Sequence, residues 1–262
     1  MKIGVIHYNI SDFTVEQLFS WCKENGVGYV ELQRKDVWEE DKIKIDEIKS
    51  LIEKYGVKIS QISCGNDFVQ KTEEEFESQI KLVSQMIKIG KEIGVNQLRI
   101  DGGWEKEGVE EKDYKKLIME GIKRVVEIAE KEKVYLALDN HGTLTNDYLF
   151  QLEIFESIKS NFLGANLDTM NYRWFGYPVE KLPEIYKAIA PYTIHTHIKD
   201  GEGTRENYKG KVLGTGEIPL LEAIKILKDN SYNGVWCVEY EGYEGAEGYK
   251  KSVVWLKENL EK

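Results

Sequence analysis

The chain holds only four histidines among its 262 residues: His7, His141, His195 and His197. Each falls late in an apolar, β-rich run or just after one, and carboxylates recur at the same level: Glu31, Asp139, Asp168 and Glu239. Taken singly, a strand-terminal Asp often caps the next helix, and a buried His is more often a hydrogen-bonded structural residue than a ligand. Taken together the set asks for more, because buried ionisable groups are costly unless paired or bound to a cation. A divalent metal accounts for the cluster. His195 and His197 in HTHIKD are two apart and so share one strand face, and Glu239 alternates with Val235 and Cys237 in GVWCVEY. One nitrogen and several oxygen donors, with positions left open, suit Mn²⁺, Mg²⁺ or Co²⁺ better than a closed structural zinc site. Such a cation acts as a Lewis acid on the oxygens of a bound polyol.

Side chains so far apart in sequence need a scaffold that gathers strand ends. Eight β-rich runs are candidates: 2–8, 28–32, 57–63, 96–100, 134–140, 162–168, 192–198 and 234–240. Between them, segments such as EEEFESQIKLVSQMIKIGKEIG and DYKKLIMEGIKRVVEIAEKEK place apolar residues at i, i+3, i+4 and i+7, the helical period. Gly26, Gly56 and Gly94 stand where helix C-termini should turn toward the next strand, Thr14 and Asp113 or their neighbours are candidate helix starts, and Pro183 falls early in a helix. Strict β-then-α alternation calls for a parallel sheet covered by helices, and eight units favour closure into a (β/α)8 TIM barrel over an open sheet. The final segment AEGYKKSVVWLKENLEK is the expected last barrel helix, and no Ser/Gly/Pro linker divides the chain, so residues 1–262 read as one α/β domain. In a TIM barrel the active site lies at the C-terminal strand ends, where the histidines and carboxylates fall.

Composition narrows the classes. Lys and Arg number 36 against 46 Asp and Glu, a net charge of −10, which argues against electrostatic capture of nucleic acid. No run reaches the roughly 18 apolar residues of a membrane span, and the opening MKIGVIHYN lacks a signal-peptide pattern. Cys22, Cys64 and Cys237 are odd in number and widely spaced, as expected of reduced thiols in a cytoplasmic protein. The G-T-G at 214–216 lacks the third glycine of a dinucleotide fingerprint and reads as a turn, and no Walker-type loop or nucleophile elbow is present.

Several stretches, in order, resemble the xylose isomerase-like TIM barrels, the sugar (phosphate) isomerase/epimerase superfamily that includes endonuclease IV-type enzymes. HTHIKD, KVLGTGEIPLLEAIKIL and YNGVWCVEYEG are similar to the superfamily's H-x-K-D, its G-x-G before a helix and its Y-x-G before a strand ending in E-Y. ALDNHG is similar to A-L-E-N-H-G, and NLDT to L-D-T. The resemblance implies one divalent metal ion (Mn, Mg, Co or Zn) held by Asp139, Asp168, His197 and Glu239, with Asp139 and Glu239 as an acid/base pair. Two positions depart from the pattern: Asp139 replaces the usual Glu, one methylene shorter, and Met170-Asn171 follows LDT where a His is common. His195 is the reserve ligand should the strand faces be swapped.

Around this centre, His7, Asn66, Trp104, His141, His195, Lys199 and Arg205 are candidates for substrate binding. Lys199 and Arg205 would hold a phosphate or hydroxyls, His141 would touch substrate or orient Asp139, and Trp104, Trp38 and Trp174-Phe175 offer ring faces to a sugar. Glu31 is a further residue that would reach the pocket, and Arg99 a neutraliser of a barrel carboxylate. The expected chemistry is proton abstraction next to a carbonyl through an enediolate, on a small keto sugar or sugar phosphate. Dehydration of a keto-inositol and a sugar-binding member with altered catalysis are the alternatives. No nucleic acid or membrane partner is expected, and a homo-oligomer is left open.

Overall fold

The computed structural model describes residues 1–10, 13–39 and 42–261. Eight strands form a closed parallel barrel: β1 (Ile3–Ile6), β2 (Tyr29–Gln33), β3 (Lys58–Ser63), β4 (Gln97–Ile100), β5 (Tyr135–Asp139), β6 (Leu163–Asp168), β7 (Thr193–Ile198) and β8 (Trp236–Val238). They run round the barrel in chain order, and β8 closes onto β1 with Val5 beside Val238. All eight expected runs are strands, each trimmed or shifted by a residue or two.

Eight principal helices cover the barrel: α1 (Val15–Glu24), α2 (Ile45–Tyr55), α3 (Glu73–Ile93), α4 (Glu111–Glu132), α5 (Tyr148–Ile158), α6 (Leu182–Ile189), α7 (Leu220–Asp229) and α8 (Gly245–Leu260). Their ends follow the local chemistry. The Thr14 hydroxyl accepts from the Gln17 amide and the Gln17 side chain returns the bond, a capping box that Thr72 and Glu75 repeat at α3. Gly56 and Gly94 take left-handed backbone at φ 71° and 95°, which glycine adopts without a Cβ penalty. The helix expected to start at Asp113 or its neighbours, α4, starts at Glu111 after Glu110, with no side-chain cap bond and with Asp113 in its first turn. Lys262, at the end of the expected last helix, lies outside the described residues.

The main apolar core lies between the barrel and the helices, built from outward strand residues such as Val30, Leu98, Leu138 and Leu167. Gly121 in α4 lets this layer close, because a Cβ there would lie 2.4 Å from the Phe68 ring. Inside the barrel the apolar content is small, with Ile6, Val235 and Cys237 forming a separate cluster beside Tyr29. Most TIM barrels fill this space with branched apolar residues. Here polar side chains bridge strands that are not neighbours: Gln61 of β3 donates to Asn166 of β6 (3.1 Å), and His197 of β7 meets Glu31 of β2 (2.7 Å).

Two short hairpins decorate the C-terminal end, Trp38–Glu39 with Lys42–Ile43 and Asp200–Glu202 with Lys209–Lys211. The second is anchored by the buried Asp200 carboxylate, which accepts from the backbone of Gly201, Gly214, Gly216 and Ile218. The G-T-G segment is thus a turn held by a carboxylate.

Candidate metal and substrate site

Period-two alternation sends every second strand residue into the barrel. At the C-terminal level this brings together Asp168 (β6), His197 (β7) and Glu239, the residue after β8. Their ligand-type atoms all lie within 4.8 Å of one another, and all three residues are buried. His197 Nδ1 is 2.9 Å from Glu239 Oε2 and 4.0 Å from Asp168 Oδ2. His197 Nε2 lies 2.7 Å from Glu31 Oε2, so the ring is oriented from behind by a carboxylate and its Nδ1 faces the other two acids.

Asp168 is held as firmly. Its Oδ1 accepts from the Met170 and Asn171 backbone at 2.7 and 2.9 Å, and the Asn140 amide clasps the Asp168 backbone through both its N–H and C=O. Its other oxygen, Oδ2, is buried with no hydrogen-bond partner. A buried carboxylate oxygen without a donor is costly unless a cation completes it. That oxygen, the imidazole nitrogen and the Glu239 carboxylate form a mixed N/O donor set that fits a divalent cation.

Asp139 stands apart from this triad. Its Oδ1 accepts from Asn166 Nδ2 (2.8 Å), its Oδ2 lies 3.5 Å from the Arg99 guanidinium, and its nearest metal-type partners are Asp101 and His141. Arg99 also lies 3.5 Å from Glu31 and 4.0 Å from Asp101, so one guanidinium serves three carboxylates. Lys199 faces the triad from the rim, with Nζ 3.0 Å from Glu239, 2.9 Å from Glu241 and 3.8 Å from Asp168.

These neighbours set the charges. Burial pushes Asp168 up to about 7, and Asp101 up to about 6. Burial would raise Glu31 too, yet the charge and hydrogen bond of His197 hold it down at about 2. Glu239, likewise opposed by burial, is held well below the usual carboxylate range by Lys199 and His197. Burial lowers His141 to about 4 and His195 to about 3, leaving both rings neutral at pH 7.

Above the triad opens a cavity of about 100 Å³, lined by Ile6, Tyr8, Gln33, Arg99, Asp139, His141, Asn171, Lys199, Glu239 and Glu241. Trp104 and Trp174 flank it through His141, with ring centroids 4.8 and 5.9 Å from the imidazole. Arg205 stacks over Trp174 and lies 3.6 Å from Glu105, mostly exposed.

The remaining sequence candidates lie elsewhere. Both His7 nitrogens are engaged, by Asp36 (2.9 Å) and the Phe13 carbonyl (3.0 Å), and the ring lines a separate groove near Lys35 and Glu47. Asn66 exchanges hydrogen bonds with the Asp101 backbone. His195 lies deeper in the barrel, bonded to Asn166 (2.7 Å), and borders a cavity at the opposite, N-terminal face. Glu31 lies behind His197 and does not line the cavity. Arg99 is placed as expected.

Asn166, Gln61, Asp101 and Glu241 were not among the sequence candidates. Asn166 stands two before Asp168, and Glu241 two after Glu239, a period-two signal available in the sequence.

A sequence profile of the family described as "xylose isomerase-like TIM barrel" matches residues 19–259. No curated protein matches the chain. Among solved structures it is similar to the IolI protein with a bound zinc atom (18% identity, TM-score 0.82, covering 99% of this chain and 98% of that one). It is also similar to a D-tagatose 3-epimerase-like protein (22%, TM-score 0.82, 100% and 97%). A third similar structure is D-psicose 3-epimerase with D-tagatose from Clostridium cellulolyticum H10 (15%, TM-score 0.81, 99% of each chain). At these identities the structures speak for the fold, and the profile match for the family. The chain belongs to the xylose isomerase-like TIM barrel family.

Proposed function

We propose that this protein is a divalent-metal-dependent isomerase or epimerase that acts on a keto sugar through proton abstraction next to the carbonyl. The observation that carries the reading is the convergence of Asp168, His197 and Glu239, with one Asp168 oxygen buried and unpartnered. When bound there, the cation supplies Lewis-acid stabilisation of the negative charge that builds on the substrate oxygens. Mn, Mg, Co and Zn all suit this donor set, and the zinc bound in the IolI structure supports the assignment.

The chain's own groups account for the proton. Asp139 and Glu239 both line the cavity, from β5 and from beyond β8, so a substrate between them meets a carboxylate on either side. One takes the proton from the carbon beside the carbonyl. A proton delivered by the other carboxylate, in its protonated form, to the opposite face inverts that carbon, and return of the abstracted proton to the neighbouring carbon isomerises the sugar. Asn166 fixes one Asp139 oxygen from below, leaving the other directed at the mouth beside Arg99. Both cations lining the cavity, Arg99 and Lys199, already face carboxylates, which favours an uncharged sugar over a phosphate ester. Trp104 and Trp174 pack around His141, which lines the cavity, and so shape its wall from behind. The epimerases among the similar structures support a ketose as substrate.

The test is deuterium exchange by NMR, with Mn²⁺-loaded protein, D₂O and a panel of ketoses and keto-inositols. Exchange at one carbon with a change of stereochemistry or carbonyl position, and without loss of water, is the expected result. Loss of water would identify a dehydratase, and binding without exchange on any member would identify a sugar-binding protein; either contradicts the proposal.

A further inference from the structure

The Lys199 ammonium occupies an unusual place for a centre that attracts cations. The side chain is almost wholly buried, and its backbone is locked by Thr169, which accepts from the Lys199 N–H (2.9 Å) and donates to its carbonyl (2.7 Å). The ammonium is therefore delivered to the rim of the triad by a rigid strand end. It contacts one triad oxygen directly, Glu239 Oε1 at 3.0 Å, and lies 3.8 Å from the unpartnered Asp168 Oδ2. A divalent ion bound by Asp168, His197 and Glu239 would share those carboxylates with a fixed positive charge a few ångströms away. Like charges at that range repel strongly in a buried site.

A second carboxylate resolves the conflict. Glu241 lies outside the triad, on the cavity rim, with its Oε2 2.9 Å from the same ammonium. Four rotatable bonds let the lysine shift its charge from one acid to the other without moving its backbone.

We propose that Lys199 is an internal counter-cation of the Asp168–His197–Glu239 centre, and that Glu241 takes over its ammonium when a divalent cation enters. The pair thereby sets the affinity of the centre for its metal. Lys199 is here a positioning residue, and the inference rests on the cation site proposed above.

The proposal predicts a pattern of Mn²⁺ affinities, read by calorimetry on the purified full chain after chelation and dialysis. Lys199→Met should bind Mn²⁺ about 10-fold more tightly than wild type, because the competing charge is gone. Lys199→Arg, which keeps the charge, should not. Glu241→Gln should bind about 10-fold more weakly, since the ammonium then falls wholly on Glu239. In the Lys199→Met background the same Glu241→Gln change should have no effect, which separates a lysine partner from a direct metal ligand. Unchanged or weaker binding by folded Lys199→Met would overturn the proposal, as would a full Glu241→Gln effect without the lysine. Wild-type protein that binds no Mn²⁺, with Asp168→Asn indistinguishable from it, would instead remove the cation site on which the inference stands.

Discussion

On the β6–β8 side of the mouth, Asp168 and Glu239 face His197 and the end of a flexible lysine, whereas on the β2–β5 side Glu31, Asp101 and Asp139 share the planar guanidinium of Arg99. Both sides bury carboxylates, and both must neutralise them. The Arg99 side does so permanently, because a guanidinium cannot lose its proton and its fork reaches several acids at once. Each side keeps buried carboxylate oxygens without a hydrogen bond, Asp168 Oδ2 on the triad side and Glu31 Oε1 and Asp101 Oδ1 on the other, but the triad side meets its acids with an ammonium shared between two of them. One side rests on a fixed guanidinium; the other rests on an ammonium at the end of a flexible stem.

The contrast is sharpest under mutation. Glu239→Gln removes a ligand and an acid/base group together, and turnover should fall by at least about 1,000-fold in the exchange assay with the far-ultraviolet circular dichroism unchanged. On the opposite side, Arg99→Met should cost stability. It strands three buried carboxylates, and a loss of about 3–5 kcal/mol is expected in urea unfolding. A variant as stable as wild type would show that the acids there are neutralised by other means.

Acidity offers a finer comparison. Asp168 is pushed up by burial to about 7 from an ordinary 3.8. Between those values the folded chain retains a proton that the unfolded chain has released, so metal-free stability falls as pH rises from about 4 to about 7. Glu31, held at about 2, works the other way and withdraws its stabilisation only as pH falls from its ordinary 4.5 toward 2. Chelated Asp168→Asn should therefore melt higher than chelated wild type at pH 8, by about 1–3 kcal/mol of stability, and the two should converge near pH 4. Equal melting curves at pH 8 would mean that Asp168 is already compensated. The smallest effect belongs to the aromatic wall: Trp104→Ala should raise KM about 10-fold with kcat nearly unchanged.

How far these regions could be read from sequence follows their physics. All eight strands announced themselves, because long apolar runs between helical periods leave few other arrangements. The two hairpins did not, since strands of two or three mostly polar residues such as Lys42–Ile43 carry no usable alternation. Asp168, His197 and Glu239 were legible as charged groups at strand ends. Gln61 was not, and Asn166 only by its period-two spacing from Asp168, for they are uncharged amides whose partnership spans 105 residues of sequence and the full width of the barrel. His7 misleads in a different way: it ends a strand like a site residue, but Asp36 and Phe13 engage both its nitrogens. The shortened Asp139 turns from the triad toward Arg99 and Asn166, a consequence that depends on those two neighbours being in place.

The most direct measurement is a calorimetric titration of chelated wild-type and Asp168→Asn protein with Mn²⁺. Asp168, His197 and Glu239 predict one ion per wild-type chain, and an affinity at least about 100-fold lower in the folded variant. Equal affinities, or no saturable binding by wild type, would contradict the account.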